Sequence, residues 1–148
     1  MNKFISCTAV LLWMALIFYF SHQPANESNE LSIGVTEVIV AAVEKVAPHS
    51  DFIVGNVNHF VRKNAHFFIF LVLGVLVMRS LRLSGIDRYK AGGLALFICI
   101  LYAISDELHQ LFVSGRGAQV RDVLIDSEGA FVGILVYVVV LFRNRVDG

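Results

Sequence analysis

The chain has 148 residues, 57% of them apolar before its 11 glycines are counted and only 16% charged, with a mean hydropathy of +0.71, which is far more apolar than a water-soluble domain of this size. Twelve Lys and Arg balance twelve Asp and Glu, so there is no basic excess to hold a phosphate backbone, and nucleic acid is excluded as the expected partner. One domain over 1–148 is expected; with Pro24 and Pro48 the only prolines and no repeat in evidence, disorder and repeat architectures are excluded.

Phe4 to Phe20 carries no charge, and with Lys3 and Ser21 at its ends it predicts a membrane-spanning helix over about 4–21. A single basic residue before it and no small-x-small site around Phe20-Ser21-His22-Gln23 mark it as a retained helix rather than a cleaved signal. Next comes a long connection. Within it Leu31, Val35, Val38, Ile39, Ala42, Val43 and Val46 recur at helical spacing opposite Glu37, Glu44 and Lys45, predicting an external amphipathic helix over 31–47 that Pro48 ends. Two placements fit it, a lid over the bundle mouth and a helix lying on the membrane surface. Three more apolar segments predict spans over about 60–78, 91–108 and 123–142, each long enough only if a polar end turn enters the membrane. The expected fold is an all-α integral membrane protein with four transmembrane helices in one bundle.

Orientation follows from the basic residues. With both termini inside (N-in, C-in), the inner pieces hold Lys3, Arg79, Arg82, Arg88, Lys90, Arg143 and Arg145 against Asp87 and Asp147, and the outer pieces hold five basic residues against ten acids. The count favours this topology. Cys7 and Cys99 lie far apart in apolar stretches, fit neither a metal spacing nor a disulfide framework, and read as packing residues.

The polar residues fall on faces. Asn58, Arg62, His66, Phe70 and Gly74 follow at intervals of four; Tyr102, Asp106, His109, Gln110 and Val113 share a face with Glu107 beside it; Asp122, Asp126, Gly129, Ala130 and Gly133 share another. Ionisable groups in the apolar layer cost about 2.5 to 3.5 kcal/mol each on insertion scales. These faces are therefore expected to turn inward and meet in one cup at the outer boundary, with the first helix as its apolar wall. Gly129 and Gly133 give the small-xxx-small spacing of close helix packing.

Ser21-x-x-Pro24, Arg62-Lys63-x-Ala65-His66 and Leu73-Gly74 resemble the VanZ-like family. So, more specifically, do Ser105-Asp106-Glu107-x-x-Gln110-x-Phe112-Val113-Ser114-Gly115-Arg116, Asp122-Val123-Leu124-Ile125-Asp126 and Gly129-Ala130-x-x-Gly133. The resemblance covers most of the chain outside residues 25–57. It departs at Ser114, where the family often has proline, and at Asp126, where it often has asparagine. The resemblance implies a small multi-pass protein of the bacterial cell membrane, associated in the name-giving member with lowered susceptibility to the lipoglycopeptide teicoplanin. It does not supply a reaction.

Two functional classes fit these residues. In the preferred one the cup is a binding site for a lipid-linked wall-precursor headgroup or a lipoglycopeptide, drawing on Arg62, His66, Asp106, Glu107, His109, Gln110, Arg116, Asp122 and Asp126, with the arginines gripping a phosphate or carboxylate. The alternative is a membrane-embedded enzyme in which Glu107, Asp106, His66 and Asp122 are the catalytic candidates for acid/base or metal-assisted hydrolysis or transfer. A hard divalent metal would suit the carboxylates and zinc the histidines. There is, however, no HExxH, and Glu107 and His109 lie roughly 200° apart on a helix. Transport fits less well, because the deepest ionisable group is His66. The bland alternatives are ion pairs (Arg62 with Glu107 or Asp106; Arg116 or Arg121 with Asp122 or Asp126), helix capping by Asp122 or Asp126, and a solvated surface for Lys63, His22, His49 and His59.

Overall fold

The computed structural model describes the backbone of residues 2–23 and 51–146 and the side chains of 2–23 and 63–140. The amphipathic segment expected over 31–47 lies outside the described residues, as does the side chain of Arg62. Four helices follow in order: α1 (Lys3–Ser21), α2 (Asp51–Leu83), α3 (Arg88–Gln110) and α4 (Val120–Val146). No strand occurs among the described residues. Each helix contains a stretch long and apolar enough to cross a membrane: Lys3–Ser21, Lys63–Leu83, Arg88–Gln110 and Val120–Val140. Helix α2 begins at Asp51, well before Phe60, so the stretch around Gly55, Asn56, Asn58 and His59, which reads as loop by polarity, is helical in its backbone.

The bundle is apolar outside and small or polar within. Phe4, Leu11, Leu12, Phe97 and Val139 are each more than half exposed, a surface that water would penalise and lipid tails accept. Inside, Ala91, Ala95, Cys99 and Ala103 form a fully buried stripe of small residues at intervals of four along α3, with Phe70, Leu73 and Met78 of α2 completing the core. Lipid offers no hydrophobic drive for helix association, so backbone proximity and hydrogen bonds must supply it. Trp13 Nε1–H donates to the Ile69 carbonyl at 2.9 Å, and the Tyr102 hydroxyl to the Met14 carbonyl at 2.6 Å. Together with a Cys7 Sγ to Ser80 Oγ contact of 3.1 Å, these tie α1 to α2 and α3.

The tightest contact joins α2 and α4, which run parallel. A Cβ placed on Gly74, Gly129 or Gly133 would collide with the backbone carbonyl oxygen of Ala130, Phe67 or Leu71 respectively. Each glycine hydrogen instead points at that carbonyl, a geometry that supports a weak Cα–H···O contact. The α2–α3 turn is made by Gly85 at φ 85° and by Asp87, whose carboxylate accepts the Tyr89 N–H at 3.0 Å to start α3. That backbone donor holds the exposed Asp87 carboxyl below its ordinary pKa. The cap therefore contributes fully above the unfolded carboxylate value and is lost as pH falls through the lowered one.

Gly133→Ala is expected to destabilise the bundle by about 1–3 kcal/mol, the range for overpacking. Gly93→Ala, where nothing lies within 4 Å of the new Cβ, is expected to be neutral or stabilising. Thermal unfolding of the two variants in detergent compares them directly.

Candidate functional site

Alternating helix direction brings the end of α1, the first span residues of α2, the end of α3 and the start of α4 to one end of the bundle. The sequence places Ser21, Lys63, His66, Asp106, Glu107, Gln110, Asp122 and Asp126 there. The opposite end carries Lys3, Arg79, Arg82, Arg88 and Lys90, so charge is segregated along the bundle axis.

Asp106 is 3% exposed and Asp126 fully buried, and Glu107 and Gln110 are buried beside them. The Ser21 hydroxyl donates to Asp106 Oδ2 at 2.7 Å, and Gln110 Nε2 donates to the same oxygen at 3.3 Å. The first helix is thus not a purely apolar wall: its last residue holds a buried carboxylate of α3. Glu107 Oε2 accepts the Gln119 N–H at 2.8 Å. Since Gln119 immediately precedes α4, a carboxylate of α3 caps the next helix across the 111–119 turn.

Lys63 does not stand in solvent. Its Nζ lies 3.0 Å from Asp122 Oδ1, pairing the first residue of the α2 span with the first turn of α4. Helix α4 begins at Val120, which puts Asp122 in its first turn and Asp126 in its second, too deep for a cap. Asp126 faces His66 instead, with Oδ1 3.6 Å from His66 Nδ1. The Arg116 guanidinium donates to the Phe20 carbonyl at 3.4 Å, turning toward α1. His109 Nε2 and His22 Nδ1 lie 3.1 Å apart at the exposed rim, with His109 packed against Phe18 at 4.4 Å between ring centroids.

A cavity of about 90 Å³ opens between these groups, lined by Lys63, His66, Gln110, Gln119, Asp122, Ile125 and Asp126. It has room for several waters or one small polar group. Of the residues expected at the site, His66, Gln110, Asp122 and Asp126 line it. Asp106 and Glu107 support it from behind, whereas His109 and Arg116 lie toward α1. Lys63, Gln119 and Ser21 were not among the candidates. Consecutive cations such as Arg62 and Lys63 carry no sign of which one turns inward, and the partners of Ser21 and Gln119 depend on tertiary contact.

The motifs at this end of the bundle belong to a recognisable pattern: the VanZ/LLP1 family model matches residues 6–143. The chain belongs to the VanZ/LLP1 family. No curated protein and no solved structure matches the chain. With its four span-length helices, this VanZ/LLP1 chain is a multi-pass membrane protein, and the buried carboxylates described above stand within its matched region.

Glu107→Gln retains an acceptor for the Gln119 N–H and is expected to leave that amide protected from hydrogen exchange. Glu107→Leu removes the acceptor and is expected to speed exchange at 119 by about tenfold or more, the value of one charge-assisted hydrogen bond. Exchange mass spectrometry of the 111–123 peptide reads both variants.

Proposed function

We propose that this VanZ/LLP1 protein binds the anionic headgroup of a lipid-linked cell-envelope precursor, or a lipoglycopeptide, at the outer face of the bacterial cell membrane. By holding such a molecule it lowers susceptibility to antibiotics of the teicoplanin type. The observation that carries the reading is the polar cavity where the spans end, whose wall holds two amide side chains and a lysine shared with Asp122, alongside Asp126. Lys63 supplies the positive charge for a phosphate, Gln110 and Gln119 supply uncharged donors, and the apolar outer faces of the helices accompany an acyl chain. Arg116, turned toward α1 at the same end of the bundle, adds a second basic group there.

The orientation in this proposal, with the basic end of the bundle in the cytoplasm and the cavity outside, is supported by the distribution of Lys and Arg. Cysteines introduced at Ser84 and Ser114, after replacement of Cys7 and Cys99, test it. Position 114 is expected to label from outside intact cells and position 84 only after permeabilisation; the reverse pattern would invert the proposal.

Lipid retained through purification in mild detergent should be enriched in phosphate-bearing envelope lipids. The enrichment should fall by about tenfold in Lys63→Ala, the value of one hydrogen bond to a charged group at about 1.5 kcal/mol. Lys90→Ala, at the opposite end, should leave it unchanged. Equal retention by wild type and Lys63→Ala, read by lipid mass spectrometry, would sink the headgroup reading.

One observation favours the second reading, an enzyme acting on the same lipid: an imidazole, His66, and a carboxylate, Asp126, stand side by side on the cavity wall, the residue types that acid/base chemistry uses. A new lipid product accumulating with time in the retention assay, and lost in His66→Gln, marks that outcome.

A further inference from the structure

The carboxylates at the cavity end are not equally provided for. Asp122 has Lys63, Glu107 has the Gln119 N–H, and one oxygen of Asp106 has Ser21 and Gln110. Left over are Oδ1 of Asp106 and both oxygens of the fully buried Asp126, none with a hydrogen-bond partner among the described residues. Two buried carboxylates with unmet acceptors are costly beside each other, and an ion pair offsets burial only with good geometry. The His66 contact does not have it, because 3.6 Å exceeds hydrogen-bond length.

That separation suits a different arrangement. Neighbouring ligand atoms around a tetrahedral ion with bonds of ~2.1 Å stand roughly 3.4 Å apart, and one ligand atom from each of His66, Asp106 and Asp126 lies within 4.8 Å of the others. We infer that His66, Asp106 and Asp126 form a binding site for one divalent first-row cation, of the zinc or manganese kind, at the inner end of the cavity. One imidazole nitrogen with two carboxylate oxygens suits such an ion, whereas an all-oxygen set would suit magnesium or calcium. The hydrogen bonds from Ser21 and Gln110 to Asp106 Oδ2 fix that carboxylate with its other oxygen available, the outer-shell support that metal ligands require. Three protein ligands leave a coordination position facing the cavity. Through it the ion would accept a phosphate oxygen in an otherwise acidic pocket. This last role rests on the headgroup reading, while the site itself rests on the three ligands.

The full-length protein, purified in detergent and stripped with a chelator, is titrated with Zn²⁺ alone and with Mn²⁺ alone, and bound ion is counted by elemental mass spectrometry. One ion per chain is expected for at least one of the two, with affinity weakened at least about tenfold in His66→Gln and in Asp126→Asn and unchanged in Glu128→Gln on the exposed face of α4. His66 is only partly buried, so His66→Gln decides the matter if Asp126→Asn fails to fold. No stoichiometric ion in wild type, or wild-type affinity in His66→Gln, overturns the site. Retained lipid is measured on the same samples. Metal binding without phosphate-lipid enrichment supports the site and rejects the headgroup reading; enrichment that survives stripping, in a chain that takes up neither ion, rejects the site and keeps that reading.

Discussion

The close approach of α2 and α4 fixes where everything else sits. Gly129 against the Phe67 carbonyl and Gly133 against the Leu71 carbonyl repeat at the same interval of four on both helices, which sets their register without any large side chain between them. Beyond that contact, toward the N-terminal side of both helices, His66 meets Asp126 and Lys63 meets Asp122. The polar end is therefore aligned by a contact made deeper in the apolar layer, where glycine is the only residue that leaves the carbonyls in place.

The opposite ends of the molecule have different chemistry for the same reason that the helices pack as they do. Small residues can line the interior only where no bulky group must be buried, and the α3 stripe from Ala91 to Ala103 keeps the middle narrow. Toward the end of that stripe Asp106, Glu107 and Gln110 replace alanine, and the helices part around a cavity. Two of these carboxylates have structural work on one side. Asp106 is held by α1, and Glu107 starts α4. An acidic motif in one short stretch of α3 thus links three helices.

The four spans were legible because each holds a long uncharged apolar run, complete in the first and closed by one polar end turn in the other three, and the VanZ-like motifs because charged residues at fixed spacing stand out in such a background. The inward polar faces were legible from the interval of four. Partner choice was not. Ser21 read as a helix end because its partner Asp106 is 85 residues away, and Lys63 read as solvated because helical phase alone does not rank two adjacent cations. Asp122 and Asp126 stayed divided between capping and the site because the apolar pattern starts α4 near Val123, while the helix starts at Val120, held in part by a carboxylate from another element.

Parallel packing of α2 and α4 also dictates an order of assembly. Chains emerge from their N-terminus first, so Ser21, Asp106 and Gln110 can meet while α4 is still being made. His66 then waits without Asp126, and the glycine contact that sets its register does not yet exist. When α4 enters the membrane it brings a carboxylate that is costly in lipid, and docking against the three earlier helices offsets part of that cost. Docking of the last helix and completion of the polar end therefore favour one another.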